Sequence, residues 1–121
     1  MTNYIGTDII EIARIREAID RWGERFLHRI YTEPELNLYD QSPPSLAARF
    51  ACKEAVMKLL DAGRKGISWQ DIETLSYPGG KPLLNLYGQA KSEARNLGIK
   101  EIAVSLAHSR EYAIAAAIGT T

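Results

Sequence analysis

Apolar residues recur along the chain at two spacings, and the switch between them marks the elements. Over residues 4–9 the alternation is two-fold, with Ile5, Thr7 and Ile9 on one face and Tyr4, Gly6 and Asp8 on the other, as in a strand. From Ile12 the steps lengthen to three and four. Ile12, Ile15, Ile19 and Trp22 form the inward stripe of a helix that Gly23 ends. A second short helix over residues 24–31 carries Phe26, Leu27 and Ile30. In Thr32-Glu33-Pro34-Glu35, Thr32 is an N-cap, Pro34 fits the first turn and Glu35 completes a capping box. Pro43-Pro44 opens the longest helix, residues 45–60. Residues 72–77 and 83–86 flank a Pro78-Gly79-Gly80-Lys81-Pro82 turn and predict a hairpin. Residues 88–97 predict a short helix stopped by Gly98, and residues 102–108 and 112–118 a second hairpin. The sum is an α+β fold, one mostly antiparallel sheet packed against helices that include one long central helix.

Composition narrows the class without choosing a function. A chain of 121 residues is the size of one domain, here residues 1–121. Lys+Arg and Asp+Glu number 15 each, so net charge offers no general attraction for nucleic acid or an anionic membrane. Any anion site must come from local placement of charge. Cys52 is the only cysteine, which excludes an intramolecular disulfide and a Cys-rich zinc site. No signal peptide and no apolar run of ~20 residues is expected, which points to a soluble, cytoplasmic domain.

The central helix holds the first candidate chemistry. Leu46, Phe50, Met57 and Leu60 share one sector, and Ala47, Ala48, Ala51, Cys52, Ala55 and Leu59 make much of the remaining surface small and apolar. Such a helix expects to be enclosed by protein, yet it carries Arg49, Lys53, Glu54 and Lys58. Glu54 and Lys58 could be an ordinary helical ion pair. Enclosed charges, however, need partners or a ligand, and three cations with one carboxylate suit a polyphosphate and a metal ion. Asp8, beside Gly6, either caps the following helix or reaches a hard cation. His108 falls in phase with Ile102, Val104 and Leu106 at a strand end, a position shared by core and site histidines. If the helix from Ile12 ran unbroken, Arg14, Arg21 and Arg25 would fall within about 40° of one another. Residues 11–29 carry five Arg against four Asp+Glu, so that segment is basic only by face.

These residues resemble a known family. Ile5-Gly6-Thr7-Asp8-Ile9-Ile10-Glu11-Ile12 with Arg14 is similar to the opening of bacterial holo-[acyl-carrier-protein] synthases of the 4'-phosphopantetheinyl transferase family. Leu46-Ala47-Ala48-Arg49-Phe50-Ala51-Cys52-Lys53-Glu54-Ala55 followed by Lys58 is similar to their helix motif. Trp69-Gln70-Asp71-Ile72-Glu73, Gly80-Lys81-Pro82 and Val104-Ser105-Leu106-Ala107-His108-Ser109 match further blocks in the same order. The resemblance implies magnesium-dependent transfer of phosphopantetheine from coenzyme A to a serine of apo-acyl carrier protein, releasing adenosine 3',5'-bisphosphate, in fatty acid biosynthesis. It also implies a homotrimer with active sites at the subunit interfaces.

By that resemblance Asp8 and Glu54 are metal ligands, and Lys58 lies beside the pyrophosphate and the attacking serine. Arg49 and His108 contact the nucleotide end of coenzyme A, Gly80 and Pro82 border the adenine, and Lys53 joins the cofactor-binding cations. Arg14, Arg25, Phe26 and Arg29 match the carrier-protein surface, with Ala18 and Trp22 as neighbours. The residues leave the general base open between Lys58 and a water on Glu54 or the metal. Two departures stand out: Ala107 where many relatives have serine, and Leu59-Leu60-Asp61-Ala62-Gly63 in place of a smaller turn.

Overall fold

A computed structural model describes residues 1–60 and 66–121. Residues 61–63 of the second departure therefore lie outside the described residues. The order of elements is β1 (Asn3–Glu11), α1 (Ile12–Trp22), α2 (Glu24–Ile30), α3 (Glu33–Tyr39) and α4 (Pro43–Leu60). A 3-10 turn (Trp69–Asp71) leads into β2 (Ile72–Ser76), β3 (Pro82–Leu86), α5 (Gly88–Asn96), β4 (Glu101–His108) and β5 (Tyr112–Thr120). Every expected element is present, but the strands divide between two antiparallel sheets. One has the order β1-β5-β4 and the other is the β2-β3 hairpin. The single sheet expected from the pattern is therefore two ladders: β3 lies near β4 without pairing to it, and residues of α4, α5 and both sheets share one apolar core.

Small residues explain how α4 lies so close to the larger sheet. Ala47, Ala48, Ala51 and Ala55 on the helix and Ala113, Ala115 and Ala117 on β5 are all buried. Gly6 on β1 completes the fit: a Cβ there would stand 1.9 Å from the Ala55 carbonyl oxygen. Short side chains on both surfaces bring backbone near backbone, which fixes the register of helix on sheet.

The helical segment after β1 breaks where the sequence places it. Gly23 has φ +55, a left-handed backbone that suits glycine, and it ends α1 and starts α2. Ile12 and Ile15 are buried on α1, but Trp22, expected inward, is 52% exposed. Trp22 is the last residue of α1, where it lines a surface groove with Phe26, Phe50 and Trp69. At α3 the capping box forms with both of its bonds, the Thr32 side chain accepting from Glu35 N and the Glu35 side chain accepting from Thr32 N.

The two faces of β1 are unlike in burial. Gly6 is buried against α4, whereas Ile5 and Ile9 are 67% and 62% exposed on the other side. The register places Ile5 beside Ile118 and Ala103, Thr7 beside Ala116 and Ser105, and Ile9 beside Ile114 and Ala107. The outer surface of this sheet thus has two apolar cross-strand rows, open to solvent, on either side of the row that carries Thr7 and Ser105.

Candidate active site

Asp8 and Glu54 come from different elements and meet at one cavity. β1 turns the Asp8 side chain to its helix-facing side, and α4 presents Glu54 one turn before Lys58. Both carboxylates line a hollow of about 310 Å³ with Arg14, Phe26 and Phe50. On the other side of Asp8, the Lys58 ammonium donates to Asp8 Oδ1 at 3.1 Å and to the Thr7 carbonyl at 3.0 Å. A second hollow, about 430 Å³, spreads from Asp8 and Lys58 over Thr7, Ser105 and Ala107 on the outer sheet face. The Asp8 side chain is largely covered and that of Lys58 is 56% exposed, so the cation stands at the mouth.

The donor set suits a hard cation shared with a ligand. Among the described residues no three His, Cys, Asp or Glu side chains cluster as a complete protein cage. Magnesium does not need one: it is commonly held by one or two carboxylates, with waters and phosphate oxygens filling the remaining positions. Asp8 and Glu54 fit that pattern.

A separate corner gathers Arg49 and the β2-β3 hairpin. The Arg49 guanidinium lies 3.8 Å over the Tyr39 ring, and Nη2 donates to Ser76 Oγ at 3.4 Å. Tyr39 and Ser76 share a hydrogen bond of 2.7 Å. Ser76 pairs with Pro82 across the hairpin, whose turn holds Gly80 at φ +93. Arg49, Gly80 and Pro82 are thus brought to one end of the fold. Nε of Arg49 is buried and has no hydrogen-bond partner among the described residues, a donor left unmet within this chain. His108 is exposed at the end of β4, opposite Ala113.

Lys53 departs from its expected role. Its side chain is 0% exposed and cannot meet a nucleotide. The ammonium donates to Glu35 Oε1 at 2.9 Å, to the Trp69 carbonyl at 3.1 Å and to the Ile72 carbonyl. All three donors are spent inside the protein. Burial pushes the ammonium below the usual lysine range, and the Glu35 charge opposes that shift. Glu35 in turn accepts from the backbone N–H groups of Thr32 and Thr74. Nearby, burial raises the Glu73 carboxyl, but hydrogen bonds from Thr32, Asn85 and Tyr87, with the Lys53 charge, outweigh it and leave it below the ordinary value.

The arginines of the first helices line a groove of about 580 Å³ formed by Trp22, Arg25, Phe26, Arg29, Phe50 and Trp69. Phe50 and Trp69 stack with centroids 5.0 Å apart. Arg14 sits apart from these and belongs to the Asp8–Glu54 cavity. Phe26 lines both hollows and joins them.

The profile of the 4'-phosphopantetheinyl transferase superfamily matches residues 4–117, a span that contains every residue of these hollows and of the Arg49 corner. The chain belongs to that family. A holo-[acyl-carrier-protein] synthase of Dehalococcoides mccartyi is 61% identical to this transferase over 112 residues, covering 93% of each chain. One from Herpetosiphon aurantiacus is 47% identical, covering 94% of this chain and 95% of the other. The crystal structure of Helicobacter pylori holo-[acyl-carrier-protein] synthase in complex with coenzyme A superposes with a TM-score of 0.87. It is 33% identical and covers 96% of this chain and 99% of that one.

Proposed function

We propose that this transferase is a single-domain, cytoplasmic holo-[acyl-carrier-protein] synthase. It moves the 4'-phosphopantetheine group of coenzyme A to a serine of apo-acyl carrier protein and releases adenosine 3',5'-bisphosphate, a step that serves fatty acid biosynthesis. The carrying observation is the meeting of Asp8 and Glu54 at one cavity with Lys58 bonded to Asp8. A magnesium ion held by the two carboxylates supplies positive charge to the pyrophosphate oxygens. Lys58, exposed and anchored through Asp8 and Thr7, is placed as a fixed cation for the same developing charge. Arg49 and His108 are the residues for the phosphates at the nucleotide end, and Gly80 and Pro82 border the base. The direct test is incubation with apo-acyl carrier protein, coenzyme A and magnesium, read by mass spectrometry. Carrier protein gaining phosphopantetheine supports the reading, and coenzyme A bound without transfer rejects it.

The partner docks, on this reading, along Arg14, Arg25, Phe26 and Arg29. Acyl carrier proteins are acidic, and basic groups around a groove steer such a partner. Arg25→Glu is expected to raise KM for the carrier roughly tenfold while KM for coenzyme A changes less than twofold. The effect should shrink as salt is added. Equal damage to both constants would reassign Arg25.

Assembly as a homotrimer is part of this reading, and two features support contact between copies. The outer sheet face exposes Ile5, Ile9, Ile114 and Ile118, each about half to two-thirds exposed and so worth roughly 1 kcal/mol when covered. In addition, Arg49 and Glu54 project about 140° apart on α4. Arg49 meets the hairpin, whereas Glu54 meets β1. A ligand touching both kinds of residue is accommodated when one chain's Arg49 corner faces another chain's Asp8 cavity, and cyclic symmetry closes such contacts. Ile118→Glu is expected to give monomers with activity lost together with the assembly. Sedimentation of this variant as a fully active monomer would refute shared sites.

A further inference from the structure

The 3-10 turn Trp69–Asp71 is fastened from two directions, and both fastenings end at the groove. From the core side, the buried Lys53 ammonium donates to the Trp69 carbonyl at 3.1 Å while Glu35 and the Ile72 carbonyl hold its other donors. From the surface side, Gln70 Nε2 donates to the carbonyls of His28 and Tyr31, at the end of α2. The Trp69 ring, half-buried, stacks on Phe50 and forms one wall of the groove. The opposite wall carries Arg25, Phe26 and Arg29, which ride on α2 itself. Lys53 directly precedes Glu54 in the chain and Phe50 lies one turn earlier on α4. The same helix therefore supports the acidic cavity and one wall of the groove.

We infer that Lys53 and Gln70 are positioning residues that hold Trp69 against Phe50 and fix the width of the groove for the apolar face of the carrier protein. This rests on the proposed docking reading and assigns it two residues that touch neither substrate. A flexible tryptophan would have to be ordered by the partner on each encounter, so affinity for that partner falls while coenzyme A binding stays. Lys53 also explains why a fully buried lysine occupies this position. Its three hydrogens tie α3, the 3-10 turn and the start of β2 to α4 at one point, and no neutral side chain of that length offers three donors.

The experiment compares Lys53→Met, Gln70→Ala and Trp69→Leu with the parent enzyme for both Michaelis constants. Tryptophan emission is recorded in a Trp22→Phe background, where Trp69 is the remaining tryptophan. Gln70 is exposed, so Gln70→Ala tests the inference even if Lys53→Met does not fold. Each variant is expected to raise KM for the carrier about tenfold, with KM for coenzyme A within twofold. Lys53→Met or Gln70→Ala combined with Trp69→Leu should be no worse than Trp69→Leu alone, because all three act through one ring. Red-shifted emission in Gln70→Ala and Lys53→Met should accompany the change. Unchanged emission would overturn the positioning role itself. Shifted emission with an unchanged carrier KM would overturn the inference through the docking reading instead. A parallel rise in both constants would show that the turn supports the whole fold.

Discussion

Glu54→Gln is expected to lower turnover at least about a thousandfold while leaving the fold intact, because a metal or cation site contributes several kcal/mol to stabilising phosphoryl charge. The substitution keeps size and shape and removes the charge. Glu54 is only partly covered and lines an open cavity, so the neutral amide remains solvated and the helix loses little. Asp8→Asn should have a similar effect on turnover and a further one on Lys58, whose ammonium loses its anionic partner. The readouts are single-turnover transfer, the far-UV circular dichroism spectrum, and calorimetry of coenzyme A with and without magnesium. Wild-type enzyme should bind the nucleotide more tightly with the metal, and Glu54→Gln should lose that difference. A folded Glu54→Gln protein with near-normal turnover would remove Glu54 from the site.

The largest effect on stability is expected at Gly6. An added Cβ would sit 1.9 Å from the Ala55 oxygen and 2.9 Å from both the Ala55 carbonyl carbon and the Leu59 nitrogen. These are backbone atoms inside a helix and cannot rotate aside as a side chain would. Relief requires moving β1 away from α4, with which it is in close backbone contact. Gly6→Ala should therefore cost about 3 kcal/mol or more, which lowers the melting temperature by roughly 10–15 °C. Gly79→Ala is the control: nothing lies within 4 Å of its added Cβ, and its melting temperature should not move. A Gly6→Ala protein as stable as the parent would show that helix and strand are less closely fitted than described. Because Asp8 is two residues along the same strand, the folded fraction of Gly6→Ala should also show weakened turnover.

What the sequence conveyed well was local. Capping at Thr32 and Glu35, the break at Gly23, and the two hairpins depend on neighbours within a few positions, and all were readable. Pairing across the chain was not. Glu35 was legible as a capping residue, but nothing within its own turn tells that its carboxylate also receives Lys53 from α4. Lys53 was grouped with Arg49 and Lys58 because helical spacing fixes an angle and not what waits at that angle. The observed neighbours on its side are α3 and the Trp69–Asp71 turn. A cue did exist: a capping-box glutamate on one segment and a lysine within an apolar helix are a pair that burial would force together. Trp22 failed for a different reason: it is the last residue of α1, and a wheel gives an angle without telling that this end of the helix borders an open groove. The strand face with Ile5 and Ile9 was identified, but alternation alone does not tell which side meets the core when both sides carry apolar residues. The meeting of Asp8 and Glu54 was reached through family resemblance. Spacing by itself left each with an ordinary structural alternative.

The strand order β1-β5-β4 has a kinetic side. β1 pairs along its whole length with β5, from Asn3 with Thr120 to Glu11 with Tyr112, so the first strand made waits for the last. During synthesis that wait is on the order of ten seconds, while α1 to α4 can already form from local contacts. The β4-β5 hairpin closes quickly once it emerges, because its strands are adjacent in the chain. Docking β1 then closes a loop of nearly the entire chain, whose entropy opposes the step and slows it. Until then the nascent molecule displays an unpaired strand edge beside Ile5 and Ile9, so chaperone demand and loss to aggregation should concentrate at that stage.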